Sequence, residues 1–309
     1  MKNFKGVVFA LISSGTFGLV PLFSLPLMIS DLRPEQAAVI GVPTILFYRF
    51  LFSSITMGAV SVYKRINLRV DFKSLIVLFV LALLYAATAK FIVDSYEYID
   101  SGLSTTVHFL YPIFVSFVMV FFFKEKISIL LFLASILSIV GVGFMCWHGE
   151  VSNELIAGLL LAGLTIVTYG LYIAGLNKSS IAAMNVESVT FYVLVFGCGI
   201  FLLYALLTTG IDRIYLPNDW FNLIMLGFFA TFISDLTLVL AVKYAGATIT
   251  SILGSMEPVV AVLVGYLFFQ EYFGLESAIG LTLVLIGVVL VIVSNSKKKR
   301  VSIEATKVQ

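Results

Sequence analysis

The chain has 309 residues, 61% of them hydrophobic and 12% charged, with a net charge of +2 and a mean hydropathy of +1.10. Soluble domains are nearer half apolar and a quarter charged, so a water-soluble globule is excluded and the excess apolar surface has to face lipid. No basic stripe interleaved with aromatics and no glycine-rich loop followed by lysine is present, which leaves nucleic acid and nucleotide chemistry without support.

Lys2 and Lys5 precede an apolar stretch in the manner of a secretory signal. No A-x-A cleavage site follows and more apolar runs do, so the stretch reads as a retained first helix. The hydropathy pattern predicts spans over Phe4–Phe23, Val39–Val62, Leu75–Tyr96, Ser101–Phe123, Ile129–Trp147, Leu155–Leu176, Val186–Thr208, Phe221–Tyr244, Ala247–Phe269 and Leu275–Val293. A spanning helix needs roughly 20 apolar residues, whereas a membrane strand shows about ten of alternating character. The expected class is therefore an all-α membrane protein with ten transmembrane helices. Cys146 and Cys198 lie inside apolar runs and read as small buried hydrophobes, not as a disulfide or a metal pair.

Basic residues set the orientation. With the N-terminus in the cytoplasm, the inner side receives Lys64, Arg65, Arg69, Lys73, Lys124, Lys126, Lys178, Lys243 and the run Lys297–Arg300. The outer loops keep Arg33 and Arg213 among many acids, including Asp31, Asp100, Glu150, Glu154, Asp212, Asp219 and Glu271. An even number of spans with both termini cytoplasmic follows, and the closing basic run reads as an anchor on anionic headgroups.

The halves resemble each other. Gly6–Ala10 through Thr16-Phe17-Gly18-Leu19 aligns with Gly158–Ala162 through Thr168-Tyr169-Gly170-Leu171, and Phe47-Tyr48 with Phe191-Tyr192. Tyr98, Pro112, Phe122 and Glu125 fall without a gap on Tyr244, Pro258, Phe268 and Glu271. Boundaries are drawn at 1–148 and 149–296 for two five-helix repeats, with 297–309 as a basic cytoplasmic tail. An odd number of helices per repeat turns the second copy upside down. Two similar bundles in opposite orientation can exchange conformations, which is the basis of alternating access.

Ala245–Ala261 with Phe269-Gln270-Glu271 resembles the ninth-helix signature of EamA-type permeases of the drug/metabolite transporter superfamily. His108-Phe109-Leu110-Tyr111-Pro112 with Lys124-Glu125 resembles the paired fourth-helix motif, and Phe47-Tyr48-Arg49-Phe50 the second-helix motif. The resemblance covers essentially the whole chain and implies ten helices in inverted repeats, commonly exporting amino acids or related metabolites across a bacterial inner membrane. The pair Lys90 and Asp94 and the replacement of Glu257-Pro258 by Tyr111-Pro112 in the first half depart from the family pattern.

Ionisable groups within spans are costly, about 2.5–3.5 kcal/mol for a centred Arg, Lys or Asp, and so mark candidate sites. They are Arg49, Lys90, Asp94, His108, Asp235 and Glu257. Glu257, followed by Asp235, is the strongest candidate for binding a substrate ammonium or carrying a coupling proton. The alternative for Glu257 is a neutral acid bonded to a backbone carbonyl freed near Pro258. Lys90 and His108 are expected to face one chamber in the outer half, and a cavity lined by the third, fourth, eighth and ninth helices is expected to hold both together with Glu257, Asp235 and the mid-membrane Tyr111; Tyr85 and Ser255 are further candidates. Lys90 and Asp94 either pair on one helix face or offer an amine to a substrate carboxylate. Arg49 reads as structural, and His108 either as a packed histidine or as a proton-coupling group. Pro112 and Pro258 are candidate hinges because each removes a helix hydrogen bond.

The expected function is gradient-driven transport of a small molecule through the lipid bilayer, without a cofactor, by a monomer or homodimer. The alternatives are a nucleotide-sugar or sugar-phosphate antiporter, which needs more cations than Lys90, Arg49 and His108 supply, and a membrane enzyme or lipid-handling protein. No catalytic motif supports the last, and an enzyme is not expected.

Overall fold

The computed structural model describes the chain except residues 1, 34–37, 124–128, 147–151, 179–180, 182–183, 246–252, 255, 288 and 291–309. Lys124, Glu125, Lys126, Glu150, Ser255 and the run 297–300 therefore lie outside the described residues. The described residues form helices and no strand, as lipid requires: only a helix or a closed barrel satisfies its own backbone there.

The helices are α1 (Lys2–Phe17), α2 (Val20–Met28), α3 (Val42–Tyr63), α4 (Phe72–Ser95), α5 (Ser101–His108), α6 (Tyr111–Phe123) and α7 (Ile129–Met145). They continue with α8 (Asn153–Lys178), α9 (Val186–Leu207), α10 (Pro217–Gly227), α11 (Ser234–Ala245), α12 (Met256–Phe269) and α13 (Leu275–Gly287). A π-helical turn, Phe228–Ile233, joins α10 to α11. The first span is thus α1 with α2, the fourth α5 with α6, and the eighth α10 with α11. Six spans are long and apolar enough to cross a bilayer within the described residues, and shorter apolar helices fill the remaining places of a ten-span chain.

Three spans are interrupted where the sequence predicts continuous helices. In the first, the chain leaves the helix at Gly18 and Leu19, and Pro21 opens α2. In the fourth, Phe109 and Leu110 form a turn, and α6 restarts at Tyr111 just before Pro112, which has no N–H to carry the ladder on. In the eighth, the π turn widens the ladder: the Thr231 hydroxyl reaches the Leu226 carbonyl, five residues back, at 3.2 Å.

Loop contacts fix how the chain alternates. The odd-numbered loops meet one another: Asp212 accepts from Gly41 N–H at 2.8 Å and from the Thr44 hydroxyl at 2.9 Å, and Arg33 pairs with Asp219 at 2.8 Å. The even loops meet through Lys64 and Glu187 at 3.2 Å. Asp31, Asp212 and Asp219 therefore share one face, while Lys64, Arg65, Arg69 and Lys73 stand on the other with Asp71 and Glu187.

The packing follows a pseudo-twofold axis. α1 packs on α11 as α8 packs on α4, while α3 with α9 and α5 with α12 pair spans that correspond between the halves. Small polar groups clasp the related contacts. The hydroxyls of Ser13 and Ser234 reach each other's carbonyls at 2.9 and 3.2 Å, and the Thr88 and Thr168 hydroxyls meet at 2.7 Å. The fifth and tenth spans cross through glycine. A Cβ on Gly141 would lie 2.6 Å from the Gly280 carbonyl oxygen, and one on Gly280 would lie 2.4 Å from that of Gly141. Close backbone approach of this kind is how helices associate where lipid is as apolar as leucine.

Substitution of Gly141 or Gly280 by leucine should separate these spans at a cost of about 1–3 kcal/mol or more. The melting temperature of detergent-purified protein is expected to fall clearly for both variants. Gly15→Ala, where no atom lies within 4 Å of the added carbon, is expected to leave it unchanged.

Candidate functional site

The interruptions meet at one place. Phe17, at the end of α1, stacks on His108, at the end of α5, with ring centroids 5.7 Å apart. A Cβ on Gly18 would lie 2.8 Å from the Glu257 carbonyl oxygen, so the first-span break rests on the first turn of α12. Asp235 follows the π turn by two residues. Chain breaks at membrane depth are tolerated only where they line a polar interior, and this arrangement satisfies that condition.

Aromatic rings join the pieces. Tyr169 lies 5.0 Å from His108, stands perpendicular to Tyr111 at 4.7 Å, and neighbours Tyr172 at 5.9 Å. Tyr172 stacks on Tyr85 at 5.1 Å. The two acids flank this row: Glu257 neighbours Tyr111 and Tyr169, while Asp235 neighbours Tyr85, Tyr172 and Arg49. Every one of these residues is buried, with His108 at 0% and Glu257 at 4% exposure.

Several polar atoms in the row have no hydrogen-bond partner among the described residues: Glu257 Oε2, His108 Nε2, Tyr85 Oη and Arg49 Nη1. A buried unpaired polar group costs about 1–3 kcal/mol, so four in one cluster is a large local cost. Tyr85 faces Asp235 without closing a hydrogen bond to it. Among the described residues Arg49 is anchored by one bond, from Nε to the Thr231 hydroxyl at 2.7 Å. It therefore bonds a neighbouring helix, in keeping with a structural part. The same π turn that frees Thr231 for this bond also positions Asp235.

The sequence-derived candidates separate into two groups. His108, Tyr111, Tyr85, Asp235 and Glu257 come together. Lys90 makes its recorded contacts elsewhere among the described residues: its amine pairs with Asp94 one turn along α4 and lies 5.3 Å from the Tyr204 ring centroid, on α9. Both side chains keep partial exposure, 30% and 17%, which suits an i,i+4 pair near the end of a span. Pro112 lies beside the fourth-span break, and Pro258 sits in the first turn of α12, where a missing N–H is tolerated. Tyr169 and Tyr172 were not singled out from sequence. Their signal was the repeat, which sets Tyr169 on Phe17; these two rings flank His108 from opposite halves.

On the acidic face a cavity of about 640 Å³ opens between the fourth, fifth, sixth, ninth and tenth spans, with Asp100, Glu154, Glu271, Tyr98, Tyr266 and Cys146 in its wall. Its floor is the seam of α5 and α12, where a Cβ on Gly102 would lie 2.8 Å from Val262. Val262 is five residues from Glu257, about 7.5 Å along a helix, so the seam separates the cavity from the buried row.

Glu271 fastens the seam. α12 ends with Gln270 at φ 55°, and the Glu271 N–H returns to the Gly265 carbonyl at 3.1 Å, a left-handed helix cap. This turn folds the Glu271 side chain over Gly265, where a Cβ would lie 2.0 Å from its Oε2. The carboxylate then accepts from Ser101 N–H at 2.9 Å, the Ser101 hydroxyl at 2.6 Å and Gly102 N–H at 3.2 Å, capping α5 across the repeats. Burial raises the Glu271 carboxyl above the ordinary glutamate range, and the bonds from Ser101 and Gly102 pull the other way.

Removing this cap should loosen the seam. Glu271→Ala is expected to cost about 1–3 kcal/mol, with Glu271→Gln costing less because its amide oxygen still accepts. Maleimide labelling of a Val262→Cys reporter should speed up in the Glu271→Ala background; an unchanged rate would show that Glu271 does not hold the floor.

The comparisons with known proteins agree with this architecture. The EamA-like transporter family model matches residues 4–147 and again 156–293. A protein of known crystal structure is 14% identical, with 93% of this chain and 97% of that chain covered at a TM-score of 0.68; at that identity the likeness shows the fold alone. No curated protein matches the sequence. Two family repeats, each five spans long and therefore of opposite orientation, account for the whole bundle, and the chain belongs to the EamA-like transporter family of the drug/metabolite transporter superfamily.

Proposed function

We propose that this chain is a secondary active transporter that carries small metabolites, amino acids or related compounds, out of the cell across a bacterial inner membrane, with both termini cytoplasmic. The observation that carries this reading is the meeting of three interrupted spans around a buried row of acids and aromatics. Discontinuous helices at the interface of inverted repeats are the usual construction of a transporter's binding site. Alternating access then amounts to opening the α5–α12 seam on one face and its counterpart on the other. Protons are the proposed coupling ion, with Glu257 and Asp235 as their carriers.

The sugar-phosphate reading finds less support. A phosphate asks for several cations or bidentate guanidinium contacts. Among the described residues the buried row holds one such group, Arg49, and Asp235 stands beside it.

Export can be measured in everted vesicles or by counterflow in proteoliposomes with a panel of labelled metabolites. Glu257→Gln and Asp235→Asn are expected to lower the rate about tenfold or more, equivalent to ~1.4 kcal/mol. Lys90→Ala, which removes an amine already engaged by Asp94, should stay within about twofold of wild type, since partly exposed pairs contribute little. Full activity in both acid variants would remove the buried row from the mechanism.

A further inference from the structure

We propose that Glu257, His108 and the rings of Tyr111 and Tyr169 form a receptor for an organic ammonium, and that the transported solute bears a net positive charge. This inference rests on the transporter reading and names its substrate class.

The acceptors set the chemistry. The Thr165 hydroxyl gives its proton to the Ala162 carbonyl at 2.5 Å, so its contact with His108 Nδ1, at 2.9 Å, uses its lone pair. His108 therefore donates from Nδ1, and in the neutral ring Nε2 is a bare acceptor. Glu257 Oε2 is a second bare acceptor, also buried and also unpartnered among the described residues. Tyr111 lies 5.6 Å from His108 and beside Glu257, and Tyr169 touches both environments. Two acceptors beside perpendicular aromatic rings suit a group with several N–H donors and a diffuse positive charge. At these two atoms a carboxylate or phosphate would meet lone pairs.

Charge balance gives the second half. At the far end of the row the Arg49 guanidinium lies close enough to act on the Asp235 carboxylate, so that acid has a fixed cation nearby. Among the described residues no lysine or arginine forms an ion pair with Glu257, and the nearby His108 is neutral in this hydrogen-bonded form, so an ionised Glu257 leaves one negative charge without a fixed counter-charge. An uncompensated charge at membrane depth is costly; the coupling proton cancels it in one state and a solute with one surplus positive charge cancels it in the other. A zwitterion of zero net charge would bring its own negative charge and leave the imbalance in place, whereas an amine or a basic amino acid would not.

The test uses the purified full-length protein and three compounds of one shape: phenethylamine, phenylalanine and phenylacetate. Isothermal titration is expected to show phenethylamine binding about tenfold or more tighter than the other two, ~1.4 kcal/mol. Glu257→Gln should lose that binding and Glu257→Asp should keep most of it. Tyr169→Phe, which retains the ring face, should bind and Tyr169→Leu should not. Equal or tighter binding of phenylalanine or phenylacetate would overturn the proposal. So would amine binding that survives Glu257→Gln, or no binding of either phenethylamine or butylamine. Amine binding without flux in proteoliposomes would instead contradict the transporter reading. Flux of a zwitterion that is insensitive to Glu257 would contradict the ammonium assignment alone.

Discussion

Hydrocarbon offers no partner to a polar group, and this single constraint organises the molecule. Every backbone N–H and every charge inside the bundle has to be satisfied by the protein itself. Most of the chain meets the demand with unbroken helices such as α4, α8 and α9. The breaks at Gly18, at Phe109 and at the π turn are confined to one interior region, where other polar groups can share the cost. The acids are found there for the same reason. Away from it, ionisable groups pair locally, as Lys90 does with Asp94 and Arg33 with Asp219.

The second organising feature is the opposed orientation of the halves. It places α1 against α11 in the way α8 lies against α4, and it lets the fourth and ninth spans meet along a tight seam. The related contacts are alike in kind but unlike in detail. Span six runs through without the break found in span one, and Arg49 in span two aligns with an apolar residue, Val193, in span seven. Unequal halves around a common axis allow the two faces of the membrane to be closed by different means. On the acidic face the means is Glu271, held in place by the helix cap at Gln270.

Much of this was legible in the sequence, and the reasons are physical. Span positions follow from runs of apolar residues, because the bilayer imposes a fixed length. The repeat could be read at Pro112 and Pro258 because proline is scarce inside helices. Glu257 and Asp235 stood out because buried acids are costly. What escaped reading was three-dimensional. The π turn has no sequence signal of its own, and it decides that Thr231 meets Arg49. Lys90 has a suitable depth but points toward Tyr204, since its azimuth on α4 is set by packing against α9. Glu271 was legible as a flanking acid, whereas its role as a cap for α5, 170 residues away in sequence, depends on a turn that spacing does not reveal: a single residue, Gln270, in the left-handed region.

The account stands on the two halves entering the membrane from opposite faces. Lys64 and Tyr215 test this directly, for both are exposed and they occupy corresponding loops, after the second and the seventh spans. Each is replaced by cysteine in a background lacking Cys146 and Cys198, and intact cells are treated with a membrane-impermeant maleimide. The account predicts labelling of Tyr215→Cys in intact cells and of Lys64→Cys only after permeabilisation. Labelling of both from the same face would contradict it.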